Sequence, residues 1–267
     1  MWKWETDGDA HGVIVMIHGE LEHHARYGWL IEMWRSKGYH VIMGDLPGQG
    51  MAKRMERGHI ESFNQYLAEV KRWIEAAYQF SLPVFILGHG MGGLIAVRML
   101  QQIKWELAGL ILSSPTFALK HTPSKISHVL SSGLNKVTPE HRFTFGFPIE
   151  KATRNLEIIE MDREDSLYVS KVSVRWYREL QTAMKQVSLE NKHFPDIPIL
   201  VMQAGKDLLV DPIAAKKWFL SLDLTEMHYK EWTNCYHELF NEPEKEEIFQ
   251  YTESFTRNCL RNIGYDV

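Results

Sequence analysis

Short apolar runs alternate along this chain with stretches whose apolar residues recur every three or four positions, the rhythm of strands and amphipathic helices in turn. Val13-Ile14-Val15-Met16-Ile17 has no polar alternation, as expected of a strand buried on both faces of a parallel sheet. His18-Gly19 ends it. Trp29, Leu30, Ile31, Met33 and Trp34 predict a helix that stops at Gly38, read as the left-handed residue just past its end. Tyr39 to Met43 is the next strand. A helix follows over Phe63 to Tyr78, with Ser62 as its expected N-cap. Then come a strand at Pro83 to Leu87, a helix at Leu94 to Ile103 and a strand at Leu107 to Leu112.

From about Thr116 to about Asn191 the rhythm breaks. A Ser/Thr/Lys-rich piece, the aromatic stretch Phe143 to Pro148 and two helical patterns occupy this span, with no clear buried strand. It is too long for an ordinary loop and reads as an inserted helical cap. Strand and helix resume at Ile197 to Met202, Ala214 to Leu220, Met227 to Glu231 and about Pro243 to Leu260. The alternation predicts an α/β fold with a mostly parallel central sheet flanked by helices. Its core is assigned to residues 1–115 and 192–267, and the cap to 116–191.

Composition changes this picture little. Hydrophobic residues make up 45% of the 267 residues and charged residues 24%, the balance of a globular protein. The net charge of −4 and the absence of a long basic run give no reason to expect nucleic acid as a partner. The apolar runs are strand-sized, well short of the roughly 20 residues that span a bilayer. No secretory signal opens the sequence, so a cytoplasmic location is expected, with contact at the inner membrane surface left open. Cys235 and Cys259 are expected to be unpaired thiols.

The chemistry concentrates at Gly88-His89-Gly90-Met91-Gly92-Gly93, between a buried strand and a helix. That is the setting of a nucleophile elbow, Gly-x-Ser-x-Gly, whose turn is so tight that glycines two before and two after the central residue prevent clashes. Gly88 and Gly92 fill those places, but the centre is Gly90. A dinucleotide-binding turn is the alternative, since the segment is near Gly-x-Gly-x-x-Gly. Two features oppose it. The turn is not in the first βα unit, and the next strand ends in Ser113-Ser114 rather than an acidic residue for a ribose.

Over essentially its whole length the chain resembles the lysophospholipase/monoacylglycerol-lipase-like branch of the α/β-hydrolases, phospholipase-type bacterial members most of all. The resemblance rests on His18-Gly19-Glu20-Leu21-Glu22-His23 with Arg26-Tyr27, on Asp45-Leu46-Pro47-Gly48-Gln49-Gly50, and on the glycine-rich turn, where the branch has Gly-His-Ser-Met-Gly-Gly. Further likenesses are Gln203 to Asp211, Tyr236-His237-Glu238 and, in the cap, Arg175-Trp176-Tyr177. It implies an α/β-hydrolase fold with a helical cap and a carboxylic ester hydrolase using Ser, Asp and His through an acyl-enzyme. Position 90 would hold the nucleophile, Asp207 would orient the base and His237 would be the base. The backbone N–H groups of Glu20 and Met91 would form the oxyanion hole, with side-chain identity of little consequence. Asp211 reads instead as a helix N-cap before Pro212. Glu22 and His23 read as supports of the loop, or equally as a surface ion pair.

No cofactor is expected. His24, His59 and His89 match no zinc spacing, and no metal is expected either. The implied substrate is a small acyl ester or single-chain lipid, with peripheral membrane contact through the cap. Phe143, Phe145, Phe147, Ile149, Val172, Trp176 and Leu180 would line an acyl pocket, or simply pack the cap onto the core. Gly90 offers no hydroxyl, so the chain as written is expected to be inactive or nearly so. It is either a nucleophile-less variant of an active hydrolase or a non-catalytic relative that binds lipid or a partner. Ser113 and Ser114 are expected not to substitute.

Overall fold

The apolar runs become strands screened from water on both faces. The protein is described by a computed structural model over residues 1–120, 138–145 and 147–267. One seven-stranded sheet contains β1 (Trp2–Trp4), β2 (Gly12–Ile17), β3 (Tyr39–Met43), β4 (Val84–His89) and β5 (Gly109–Ser113). After an inserted segment holding β6 (Arg142–Thr144) and β7 (Lys171–Ser173), it is completed by β8 (Ile199–Ala204) and β9 (Met227–Trp232). The order is β1-β3-β2-β4-β5-β8-β9, with β1 antiparallel to β3 and every other pairing parallel.

Alternate residues of β2 feed two cores, as a period of two requires. Ile14 and Met16 pack with Leu30, Ile31 and Trp34 of α1 (Gly28–Ser36), and with Ile248 and Phe249 of the last helix. Val13, Val15 and Ile17 share the opposite core with α2 (Asn64–Tyr78) and α3 (Met91–Leu100). Every residue of α3 is buried, so this central helix is apolar all round rather than amphipathic. Gly38 has φ 79° just past α1, the expected left-handed exit. Ser62 does not cap α2 as expected: the helix begins at Asn64, and Phe63 before it is already helical. The Ser62 hydroxyl still accepts from the Asn64 N–H at 3.3 Å.

The inserted segment contributes α4 (Leu156–Glu164) and α5 (Val174–Leu189), capped by Asn155 and Ser173. Most of the Ser/Thr/Lys-rich piece, and Gly146 in the aromatic stretch, lie outside the described residues. The sequence showed no strand here, yet β6 and β7 pair antiparallel, joining Phe143 to Val172. Three residues each is too short for a periodicity to declare itself. Phe145 packs edge-on to Trp176 at 5.0 Å, and the Trp176 indole N–H donates to the Tyr66 hydroxyl at 2.7 Å. Trp176, Tyr177 and Leu180 are buried in the main core. Each such burial stabilises the docked segment by roughly 1.5–3 kcal/mol. The chain ends with α6 (Pro212–Leu220) and α7 (Lys245–Asn262); Asp211 caps α6, accepting from the Ile213 N–H at 3.0 Å.

Candidate active site

Loops leaving the carboxyl ends of β2, β4, β8 and β9 converge on one point, the usual location of a site in an open parallel sheet. Gly90 is that point. It joins β4 to α3 with φ 51° and ψ −119°, a conformation that L side chains rarely adopt. The packing around it is tight. A Cβ on Gly92 would stand 2.1 Å from the Ile17 carbonyl oxygen, and one on Gly88 2.7 Å from the Gly92 backbone. Glycine at both places is therefore a steric requirement of the turn.

Asp207 and His237 come from the loops after β8 and β9. Asp207 is fully buried. Its Oδ1 accepts from the N–H groups of Leu209 and Val210, both at 2.9 Å. Its Oδ2 accepts from His237 Nδ1 at 2.9 Å. Burial works to raise the Asp207 pKa, but the His237 charge and these hydrogen bonds hold it below the ordinary carboxylate value. For His237, burial disfavours the imidazolium, yet the Asp207 charge and hydrogen bond, with smaller help from Glu20 and Glu238, push it up to about 9. With Nδ1 held by Asp207, Nε2 faces the turn. It would lie 3.3 Å from a Cβ placed on Gly90.

Residues 8–244 match a family model described as serine aminopeptidase, S33. The chain is 50% identical over 257 residues to phospholipase YtpA of Bacillus subtilis, covering 96% of this chain and 98% of that protein. The chain belongs to the α/β-hydrolases, in their phospholipase and monoacylglycerol-lipase branch. A monoacylglycerol lipase of Mycolicibacterium smegmatis is 26% identical across 94% of this hydrolase and 90% of its own length. The crystal structure of Paleococcus ferrophilus monoacylglycerol lipase superposes with a TM-score of 0.85 at 27% identity, over 96% of this chain and 97% of that one.

One of the two expected oxyanion donors already has a partner. The Met91 N–H donates at 2.8 Å to Oε2 of the Glu20 side chain. That carboxylate is buried, and its Oε2 would stand 2.7 Å from a Cβ at Gly90. The side chain at position 20, expected to be of little consequence, thus touches the other expected donor. With no Cβ at position 90, the carboxylate reaches into the space that a side chain would fill. The Thr116 hydroxyl donates to Glu20 Oε1 at 3.0 Å, and the Thr116 N–H to the Gly90 carbonyl at 3.0 Å. Neither contact is signalled by any motif. The other expected donor, the backbone N–H of Glu20, belongs to the loop whose Gly19 Cα lies 3.5 Å from the same Cβ position.

Glu22 is buried and is no surface ion pair. Its Oε1 accepts from the Gly19 N–H at 2.5 Å and from the Tyr27 hydroxyl at 2.6 Å, fixing the loop that carries Glu20. Arg26 contacts Glu22, pairs bidentately with Asp162 of α4 at 2.6 and 2.9 Å, and pairs with Glu238 at 2.7 and 3.0 Å. This buried cluster ties the loop after β2 to the inserted segment and to the residue following His237. His23 Nε2 adds a second tie, to Asp165 at 2.5 Å.

His89 lies tilted beside His237, with ring centroids 4.8 Å apart, and its Nδ1 lies 3.1 Å from the Ser113 carbonyl. Burial and the neighbouring His237 charge lower its pKa. The Ser113 hydroxyl is turned to His89 and the Ser114 hydroxyl accepts from the Ala204 N–H, so neither stands in for a nucleophile. His24 bonds Asp45 and His59 bonds Ser173. Among the described residues, Cys235, Glu242 and Glu244 bring ligand-type atoms within 4.8 Å of one another. Arg154 already engages both carboxylates, with 2.6 Å to Glu242. Of the residues expected along an acyl pocket, Phe145, Val172, Trp176 and Leu180 are buried in packing. Phe147 alone of that group joins Gly19, Glu20, Tyr168, Leu209 and His237 around the narrow cavity at the site.

Proposed function

We propose that this scaffold is built for hydrolysis of carboxylic esters of single-chain acyl lipids, of the lysophospholipase or monoacylglycerol type, and that Gly90 leaves it without the nucleophile. The supporting observation is the Asp207–His237 hydrogen bond with Nε2 aimed at position 90. A hydroxyl there would give its proton to His237 and attack the ester carbonyl. The alkoxide would leave with the proton returned by His237, and water would release the acid by the same steps. Without the hydroxyl no acyl-enzyme forms. Once His237 is neutral, the Asp207 carboxylate keeps the imidazole in the Nδ1–H tautomer that leaves Nε2 free to accept.

The test is Gly90→Ser assayed with p-nitrophenyl butyrate and lysophosphatidylcholine. Turnover absent from the parent protein is expected. Folded serine variants, with and without Glu20→Ala, that turn over neither substrate would end this reading. A second reading, a lipid-holding protein that never cleaves, is favoured by the seated Glu20 carboxylate and the missing hydroxyl. Calorimetry of the parent protein with decanoate tests it: saturable binding is its signature, and absence of binding would remove it.

The phospholipase and lipase relatives suggest a substrate that lives in or near a bilayer. We place the protein in the cytoplasm, with α4 as the element that touches the inner membrane surface. Leu156 and Met161 on that helix are 74% and 61% exposed. No helix among the described residues is long and apolar enough to cross a membrane.

A further inference from the structure

The oxyanion hole of an ester hydrolase must be free to receive a carbonyl oxygen as it becomes negative. Here the Met91 N–H, at the amino end of the buried ten-residue α3, already holds a carboxylate oxygen of Glu20 at 2.8 Å. Three features keep that carboxylate there. The Thr116 hydroxyl donates to it at 3.0 and 3.3 Å. The positive end of the α3 dipole favours an anion at this point. Glu22, itself held by the Tyr27 hydroxyl, fixes the loop behind it by accepting from the Gly19 N–H. The absence of a Cβ at Gly90 supplies the room, since Oε2 would be only 2.7 Å from one.

We infer that the Glu20 side chain is a tethered occupant of the oxyanion hole, an internal anion that excludes the ester carbonyl, so that position 20 and position 90 together silence the site. This rests on the ester-hydrolase reading for its consequence, but not for the occupancy itself. The carboxylate is not a replacement nucleophile toward an ester. The N–H that must stabilise the developing oxyanion is the one that holds the carboxylate, and it cannot serve both. Restoring a hydroxyl at position 90 therefore restores only part of the activity. The new Cβ also presses on Glu20 Oε2, which gives by a few tenths of an ångström while the Thr116 hydroxyl keeps hold of Oε1.

Two measurements test this separately. In the parent Gly90 protein, the Met91 amide proton is read by 15N–1H NMR in the parent, Glu20→Ala and Glu20→Gln forms. Its resonance is expected far downfield in the parent and to move upfield in Glu20→Ala, with the uncharged amide of Glu20→Gln between them. An unmoved Met91 amide in folded Glu20→Ala overturns the inference. In the Gly90→Ser background, kcat/KM for p-nitrophenyl butyrate is compared with and without Glu20→Ala. Losing one oxyanion donor costs about 10²–10³-fold, so freeing it is expected to raise kcat/KM by about 10²-fold. Equal turnover by the two serine forms also overturns it. If the Met91 amide moves but neither serine form turns over, the occupied hole stands and the ester-hydrolase reading is the one that fails.

Discussion

Asp207 and His237 stand on loops after adjacent parallel strands, and their Oδ2 and Nδ1 atoms meet at 2.9 Å with both side chains buried. Such a pair is costly to desolvate, and it is retained with two further backbone N–H bonds to the carboxylate. The arrangement has the orientation of a base and its orienting acid, and it is aimed at the turn whose central residue, Gly90, carries no side chain. In Gly90→Ser, Asp207→Asn is expected to lower kcat by about 10⁴-fold, because the wrong tautomer is then held toward the turn. Steady-state assays of the two serine proteins check this; a loss of less than tenfold would detach Asp207 from the chemistry.

The backbone at position 90 predicts a stability effect of opposite sign to the activity effect. With φ at 51° and ψ at −119°, a residue with a Cβ stores strain on the order of 1–3 kcal/mol. Gly90→Ser is expected to lower the urea midpoint by a corresponding amount. A midpoint clearly above the parent's contradicts the strained-turn description.

The pH dependence follows from His237 and Asp207. His237 is raised to about 9 from 6.5, so the stability it contributes is fully present below 6.5 and is lost as pH rises through 9. Asp207 is lowered from 3.8, so its contribution is present above that value and lost as pH falls. Urea midpoints are expected to drop between about pH 6 and about pH 10, and the drop is expected to shrink in His237→Gln. In Gly90→Ser, kcat/KM should rise through about pH 9 as His237 becomes neutral, and the rise should shift to lower pH when Glu20→Ala removes a negative neighbour. A profile unmoved by Glu20→Ala would contradict the assigned proximity.

How much of this was legible in the sequence differs by element. The runs Val13 to Ile17 in β2 and Val84 to Leu87 in β4 are uninterrupted and apolar, and burial on both faces leaves little else for them to be. Strand β1 was not legible: three residues on the sheet edge pair with Met43, Ile42 and Val41, and that partnership has no local signature. Asp207 and His237 were legible because they sit in recognisable segments in the right chain order. The Glu20 carboxylate was not. Its place depends on the space left by Gly90, seventy positions away in sequence. The Arg26 cluster was equally hidden, since its partners are spread from Glu22 to Glu238.

That cluster gives its own prediction. Arg26 is the common cation of Glu22, Asp162 and Glu238, and removing one partner of a buried charge set typically costs about 3–5 kcal/mol. Arg26→Met should lower stability on that scale, and should also expose the inserted segment to proteolysis, because one of its ties to the site is lost. Limited trypsin digestion beside a urea melt reads both. Undiminished stability and the parent's digestion pattern would show that the cluster is not a structural tie.

The convergence of residues 207 and 237 on the turn at 90 is tested most directly by covalent labelling. Gly90→Ser and Gly90→Ser/Glu20→Ala are treated with a fluorophosphonate and analysed by intact and peptide mass spectrometry. One adduct, mapped to position 90 and lost when His237 is changed to Gln, is expected in at least one of them, and none in the parent. Folded serine proteins that take no adduct, or take it elsewhere, would contradict the account.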